Sequence, residues 1–381
     1  MSRIAMLLSN PFRPDPRVAR EAASLVEAGH SVTVIAWDRQ LQRAPSEKYA
    51  GVQILRIQDV QARYGGSWRQ VFITPRFWKA ATRLAESLRP EVVHCHDLDT
   101  LYAGVQLKRR TGCRLVYDAH EDYPALMSLY LPAPLIPLLS LFERRLLTYT
   151  DHTITASSVL ADKLLAQGVR PVTTIGNYQS LAPFDAVTPD QVRAARSELG
   201  LSDLDFVVAY IGGFTRNRLL LPLVEAVAPE RNLTCLFWGD GHQRQAIQAA
   251  IADKPNVRFL GWLPADLVPR YTKSVDVIYY CLVPDYPGAV FNAPNTLGNA
   301  MAAGVPILAN DVGDLGRIVR ETGCGLLLRE VTPETIRNAL LNLRQPELRR
   351  KLGQSGRRAA EQTYNWSTAA QKLNRIYSQL T

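Results

Sequence analysis

Short apolar, β-branched runs recur along this chain, and segments of helical periodicity lie between them. Few folds accommodate that alternation. The clearest instance runs from Val275 to Asp311. VDVIYYCL reads as a buried strand, a loop follows, Ala300 to Ala303 favour helix, Gly304 and Val305-Pro306 stop it, and VPILAND is strand-like again. Such a crossover returns the chain to the same end of a sheet, which makes the two strands parallel. Ligands of an open parallel sheet gather at the carboxyl ends of its strands, so the loop Val283 to Asn295 should border the crevice. The helix start near Asn295 offers free backbone N–H groups to an anion.

The chain opens the same way. Arg3 to Ser9 is strand-like, a loop reaches Pro16, and a helix from Arg17 to Ala28 buries Val18, Ala22, Leu25 and Val26. Gly29 closes it and SVTVIAW follows. The loop Asn10 to Pro16 has no glycine, so a dinucleotide fingerprint is absent. Strands are expected at Val52 to Ile57, Val92 to Cys95, Arg114 to Asp118, His152 to Ala156 and Val172 to Ile175. Helices are expected at Arg76 to Arg89, Thr100 to Arg110, Leu138 to Thr148 and Ser157 to Gln167. After a connector, Asn177 to Leu204, the alternation restarts at Phe206 to Ile211 and continues through Leu233 to Trp238, Val257 to Leu260, Val275 to Leu282, Val305 to Ala309 and Gly325 to Leu328. A chain of 381 residues exceeds one ordinary core. The expectation is therefore α/β, with two doubly wound Rossmann-like domains, residues 1–180 and 181–363, facing across a cleft that could take two substrates. The amphipathic C-terminal helix, 364–381, would pack back on the first domain.

Composition narrows function by exclusion. The net charge is +9, which suits an anionic ligand, a membrane surface or nucleic acid. The basic clusters are short, and no zinc-finger or RNA-recognition signature accompanies them, so nucleic acid is set aside. The five cysteines show neither metal spacing nor a disulfide framework. No stretch is apolar enough to span a bilayer, and the first residues read as a strand rather than a signal peptide. The segment Tyr130 to Tyr149 is unusually apolar and carries Arg144-Arg145. It could dock on a membrane, but Pro132, Pro134 and Pro137 interrupt it, and the reading preferred here is a helix buried on the sheet.

A series of motifs then falls in a telling order: DPRVAREAASLVEAGHSVTVIA, EVVHCHDLDTL, LVYDAHEDYP, AYIGGFTRNR, LFWGDG, VRFLGWLP, PNTLGNAMAAGVPILAND and YNWSTAAQKLNRIY. In this order the chain resembles a retaining, family-4 type glycosyltransferase of the GT-B fold, over nearly its whole length. The resemblance implies transfer of a hexose from a nucleotide-diphosphate sugar (UDP, GDP or dTDP as carrier) to a hydroxyl of a glycan, lipid-linked or small-molecule acceptor. It implies no cofactor and no metal. It implies a cytoplasmic setting, at the inner face of the membrane with peripheral contact, and bacterial polysaccharide or glycoconjugate assembly. The donor would lie against the second domain and the acceptor against the first.

Residues follow from the same comparison. His120, in Asp118-Ala119-His120-Glu121, matches the family's active-site histidine, with Asp118 and Glu121 orienting it or binding the acceptor hydroxyl. A lone histidine more often satisfies a loop carbonyl; the surrounding motif reverses that weighting. Asn10, Arg17, His96 and Asp97 are assigned to the acceptor side. A metal on His94 and His96 is rejected because no third ligand can be identified. In the second domain, Arg218 falls where the family has its phosphate-clamping Lys, and Gly213 where it has an Arg, with Arg216 a substitute cation. Gly239 and Asp240 form a turn near the donor, and Leu263 closes a segment beside the base. Phe291, Asn292, Ala293 and Pro294 would approach the sugar and phosphates through backbone N–H groups, beside Asn295. The family's two glutamates are replaced by Phe291 and Asn299, and its Lys by Thr296. Asn299 can hydrogen-bond a hydroxyl but loses a charge-assisted pair, so a dTDP-sugar, lacking the 2′-hydroxyl, would miss the glutamate least. The same departure leaves open a non-catalytic relative that binds a nucleotide sugar or a partner enzyme. A sugar-nucleotide 2-epimerase shares the fold but matches the Asp-Ala-His-Glu and PNTLGNAM segments less well.

Overall fold

A computed structural model describes residues 1–12, 15–62, 70–202 and 204–380, with 70–72 described by their backbone alone. The chain divides into two compact units, residues 1–176 with 369–381, and residues 177–368.

The first unit is built on an eight-stranded sheet: β1 (Arg3–Leu8), β2 (Ser31–Trp37), β3 (Ser46–Tyr49), β4 (Val52–Ile57), β5 (Val92–His96), β6 (Arg114–Ala119), β7 (His152–Thr155) and β8 (Val172–Thr174). Its order is β3-β4-β2-β1-β5-β6-β7-β8. Every pairing is parallel except β3 with β4. Central strands such as β5 (VVHCH) are buried along their whole length, as expected where helices cover both faces. The short β3 (SEKY) is polar, largely exposed and antiparallel, and no strand was expected there.

The second unit carries a wholly parallel six-stranded sheet. Its strands are β9 (Phe206–Ile211), β10 (Leu233–Trp238), β11 (Val257–Phe259), β12 (Val277–Tyr280), β13 (Ile307–Asn310) and β14 (Gly325–Leu328), in the order β11-β10-β9-β12-β13-β14. The two sheets establish the α/β, doubly wound reading. The helix Asn295–Ala303 ends on Gly304 at φ 70°, the left-handed cap its sequence requires. From Ala369 onward the last helix, Trp366–Leu380, packs with the first unit. There Tyr377 is fully buried, its hydroxyl 2.8 Å from His94 Nδ1.

One expectation is corrected. The helix expected at Leu138 to Thr148 is present, but it is not buried on the sheet, and the prolines near its start do not interrupt it. The helix Leu135–Leu147 is continuous. Pro132 and Pro134 precede it, and Pro137 sits in its first turn, where an N–H has no intrahelical partner to lose. Only one face is covered, with Glu143, Leu146 and Leu147 buried. Leu135, Leu138 and Leu141 are 44%, 61% and 63% exposed.

Candidate active site

Strand β6 delivers Asp118 into the interior and His120 just past the strand end. The neighbouring β5 delivers His94 and His96, and Asp97 follows immediately at the cap of the helix Leu98–Thr111. The helix Pro16–Glu27 supplies Arg17 and Glu21 from its buried face. Adjacent parallel strands thus bring together side chains that the sequence places apart.

Arg17 grips Asp118 with two bonds, Nε to Oδ2 at 2.8 Å and Nη2 to Oδ1 at 2.7 Å, and donates a third to the Ile175 carbonyl at 2.7 Å. Its Nε also lies 3.2 Å from Glu21 Oε1. His120 sits between two carboxylates, with Nε2 3.0 Å from Asp118 Oδ2 and Nδ1 3.3 Å from Asp97 Oδ2. His96 Nδ1 is 3.2 Å from His120 Nε2. Asp97 Oδ1 accepts from the His120 backbone N–H at 3.1 Å. Asp97 adopts φ 61°, ψ 164°, a region nearly reserved for glycine, so its backbone carries strain of about 1–3 kcal/mol. Strain of this kind concentrates where a side chain must be aimed.

The charges set one another. Burial opposes an imidazolium at His120, but Asp97 and Asp118 outweigh it and push the pKa up to about 10. Burial raises Asp97 to about 7, His120 pulling the other way. Burial, reinforced by the Asp118 charge, lifts Glu21 to about 8. Against the cost of its own burial, Asp118 is held well below the usual carboxylate range by Arg17 and His120. Near pH 7 the cluster is Arg17⁺–Asp118⁻, with His120 protonated against an Asp97 near its own midpoint and Glu21 mostly uncharged.

The reason for rejecting a metal needs correction. The fold supplies the missing ligands: atoms of Glu21, His94, His96 and Asp118 lie within 4.8 Å of one another. Among the described residues, Nε2 of both histidines and both Glu21 oxygens lack hydrogen-bond partners. Yet Arg17 already neutralises Asp118 and stands against Glu21, so a divalent ion here would face a guanidinium at close range. The donor set does not fit a metal ion.

The other predicted residues of this unit have plainer places. Asn10 fastens its own loop, donating to Asp15 Oδ2 at 2.8 Å and accepting from the Phe12 N–H at 2.8 Å. Glu121 is exposed; the carboxylates on the His120 ring are Asp97 and Asp118. Sequence reasoning singled out neither Glu21 nor Tyr377. A signal existed for Glu21, which lies on the same helical stripe as Val18, Ala22 and Leu25.

The second unit gathers a different set. Gly212 and Gly239 directly follow β9 and β10, with their backbones in contact. A Cβ on Gly239, whose φ is 150°, would lie 1.8 Å from the Gly212 oxygen. Beyond them Arg218 lies over the Tyr280 ring, 4.7 Å from its centroid. Its Nε and Nη1 are buried and have no hydrogen-bond partner among the described residues. The Tyr280 hydroxyl reaches Asn292 Oδ1 at 3.3 Å, which ties this cation to the loop before the helix Asn295–Ala303. That helix starts after Pro294 without a side-chain cap or an acidic residue in its first turn, where N–H groups have no partner within the helix.

Around this core, Arg216, Gly213 and Asp240 are exposed, and Asp240 pairs with Arg244 at 3.2 Å. Leu263 is buried in the core of the unit. Phe291 ends a 3-10 turn, Ala289–Phe291. The Ala293 carbonyl accepts from Asn177 at 2.8 Å, and Asn295 Oδ1 accepts from Gln179 at 3.1 Å. Thr296 is buried, its hydroxyl donating to the Ile211 carbonyl at 3.0 Å, which pins the helix to β9. Asn299 is half-buried, one turn into the helix.

Comparison with known proteins agrees with this architecture. Residues 14–177 match the family model described as a glycosyl transferase 4-like domain, and residues 205–345 match that of the glycosyl transferases group 1. An uncharacterized glycosyltransferase of Methanocaldococcus jannaschii is 23% identical, the alignment covering 93% of this chain and 91% of that one. Sucrose-phosphate synthase of Thermosynechococcus elongatus superposes with a TM-score of 0.84 at 20% identity, over 100% of this chain and 99% of that one. The Anabaena HepE protein, solved in complex with UDP-glucose, superposes with a TM-score of 0.76 at 15% identity, over all of both chains. Parallel-sheet topology in both units, the two family matches and these likenesses converge: the chain belongs to the family-4 type glycosyltransferases of the GT-B fold.

Proposed function

We propose that the protein transfers a hexose from a nucleotide-diphosphate sugar to an acceptor hydroxyl with retention of anomeric configuration, without a metal or cofactor, in the cytoplasm and in bacterial polysaccharide or glycoconjugate assembly. The observation that carries the donor half is Arg218. A half-buried guanidinium with two buried nitrogens that have no hydrogen-bond partner among the described residues, stacked on Tyr280 and joined through Asn292 to an uncapped helix start, is what a diphosphate would complete. Those groups would carry the phosphate charge that a metal carries elsewhere. HepE, on the same fold, holds UDP-glucose. Asn299 would face the ribose with a neutral amide in place of a carboxylate, and this favours a dTDP-sugar donor.

On the acceptor side, both ring nitrogens of His120 are engaged by carboxylates, so it is not a free general base. It works as a fixed charge that aims Asp97. Asp97 then receives the acceptor hydroxyl, its pKa near 7 letting it share that proton as the bond forms.

The test is a mass-spectrometric screen of nucleotide sugars for binding, followed by turnover with candidate acceptors. Free nucleoside diphosphate should appear only when acceptor is present, and His120→Ala should reduce its rate at least about 100-fold, the scale of losing one preorganised electrostatic group. Release without acceptor would point to an epimerase. The departure at Asn299 favours one other reading, a nucleotide-binding relative without activity. Intact nucleotide binding with no turnover across a broad donor and acceptor panel would select it.

A further inference from the structure

The last helix brings a polar group to the His120 cluster that the transfer reaction has not yet used. Ala369, Leu373, Ile376 and Tyr377 share one face of the helix Trp366–Leu380, and all four are buried in the first unit. A phenylalanine at 377 would bury the same ring. The tyrosine adds a hydroxyl, 2.8 Å from His94 Nδ1. Strand β5 puts His94 and His96 on one face, and their rings stack with centroids 4.4 Å apart at 23°. His96 Nδ1 in turn stands 3.2 Å from His120 Nε2. Tyr377, His94, His96 and His120 thus form one row, buried as far as His96, that ends on Asp97.

The protons of this row can be placed. Burial keeps the proton on the Tyr377 hydroxyl, and burial reinforced by His96 pushes His94 well below its ordinary value. Tyr377 therefore donates, His94 Nδ1 accepts, and the neutral His94 ring carries its proton on Nε2. His120, an imidazolium, has a proton on each nitrogen. Two N–H groups would repel at 3.2 Å, so His96 Nδ1 is bare. It shares the His120 Nε2–H with Asp118 Oδ2, which lies 3.0 Å from that nitrogen. The other titratable groups facing the row are Arg17 and Glu21 from the first helix, Asp118 from β6, and Asp97 and Asp99 after β5.

We propose that Tyr377 is a positioning residue for the transfer reaction: its hydroxyl fixes His94 as the Nε2–H tautomer, the stacked His94 ring holds His96, and His96 holds the His120 ring that aims Asp97. Tyr377 is fully buried, so it acts through the histidines and not on a substrate. Its effect on turnover rests on the transfer reaction proposed above; the proton positions do not.

The experiment is nitrogen-15 NMR of the full chain labelled at its six histidines, with turnover measured alongside. In the parent, His94 and His96 should both show the neutral Nε2–H pattern and His120 the doubly protonated one, a result that needs no variant. Tyr377→Phe keeps the ring and should lower the His120 midpoint by roughly 0.4 to 1 pH unit, the scale of one hydrogen bond. It should lower kcat about tenfold and leave nucleotide affinity within about twofold. In a His120→Ala background the same substitution should change kcat by less than about twofold, because the group it positions is gone. A parent His94 protonated on Nδ1, or a His120 midpoint that Tyr377→Phe leaves in place, would overturn the inference. So would a further tenfold loss in the His120→Ala background, which a merely structural role produces. The expected proton positions and midpoint shift, in a protein that turns over no donor, would uphold the row and reject the transfer reaction instead.

Discussion

Around His120, in the first unit, each buried charge meets an opposite one: Arg17 with Asp118, His120 with Asp97. Around Arg218, in the second, a half-buried cation keeps two buried nitrogens without a hydrogen-bond partner among the described residues. Both clusters stand at the carboxyl ends of parallel strands, yet the first pairs its charges within the fold, whereas Arg218 pairs with no carboxylate among the described residues. A perturbation of the first should therefore appear in stability and pH dependence. A perturbation of the second should appear in affinity.

The sharpest way to break this contrast is Asp118→Ala. It would leave the buried Arg17 with only Glu21 and the Ile175 carbonyl, and should cost about 3–5 kcal/mol in denaturant unfolding. A loss under about 1 kcal/mol would mean that water or rearrangement already screens the pair. Gly239→Ala comes next. Its Cβ would meet the Gly212 oxygen, so the turns after β9 and β10 must part, at about 1–3 kcal/mol and with weakened nucleotide binding. Unchanged stability would show that the two backbones are not in contact.

A smaller effect is expected with pH. The folded pKa of His120, about 10, exceeds its ordinary 6.5. Its stabilising contribution is complete below about pH 6.5 and fades as pH rises towards 10, by up to about 1.4 kcal/mol per pH unit. Glu21, raised from 4.5 to about 8, adds a fall of the same sign over that lower range, because its carboxylate is disfavoured in the fold. Stability measured from pH 6 to 10 should decline, and His120→Ala should flatten the upper part of the curve. A rise with pH would contradict the charge assignment. The smallest effect is Asn299→Glu, which should strengthen ribose-bearing nucleotides over deoxyribose ones by no more than about tenfold, the scale of one charge-assisted hydrogen bond. No change in that preference would place residue 299 away from the sugar.

Much of the fold could be read from the chain because buried strands of a parallel sheet are apolar on both faces. VVHCH, FVVAYI and LTCLFW announce themselves. The polar SEKY strand could not be read, since an antiparallel edge strand facing water has no such signature. The helix after the prolines was legible, but periodicity alone does not say which apolar face the fold covers. In the first cluster, the short spacings in His94-Cys95-His96-Asp97 and Asp118-Ala119-His120 were visible. Their closure by Glu21 and Tyr377 was not, because Glu21 to Asp118 and Tyr377 to His94 span 97 and 283 positions of chain, through pairings no local pattern encodes. The strained backbone at Asp97 likewise has no trace in residue type.

The central claim is that the second unit holds an incomplete anion site. Calorimetric titration of UDP, GDP and dTDP into the parent protein and Arg218→Ala tests it most directly. The account predicts that at least one nucleoside diphosphate binds the parent, and that the substitution weakens it about 10- to 100-fold while stability moves by less than about 0.5 kcal/mol. Binding that is absent from the parent, or equal in the two proteins, would contradict it.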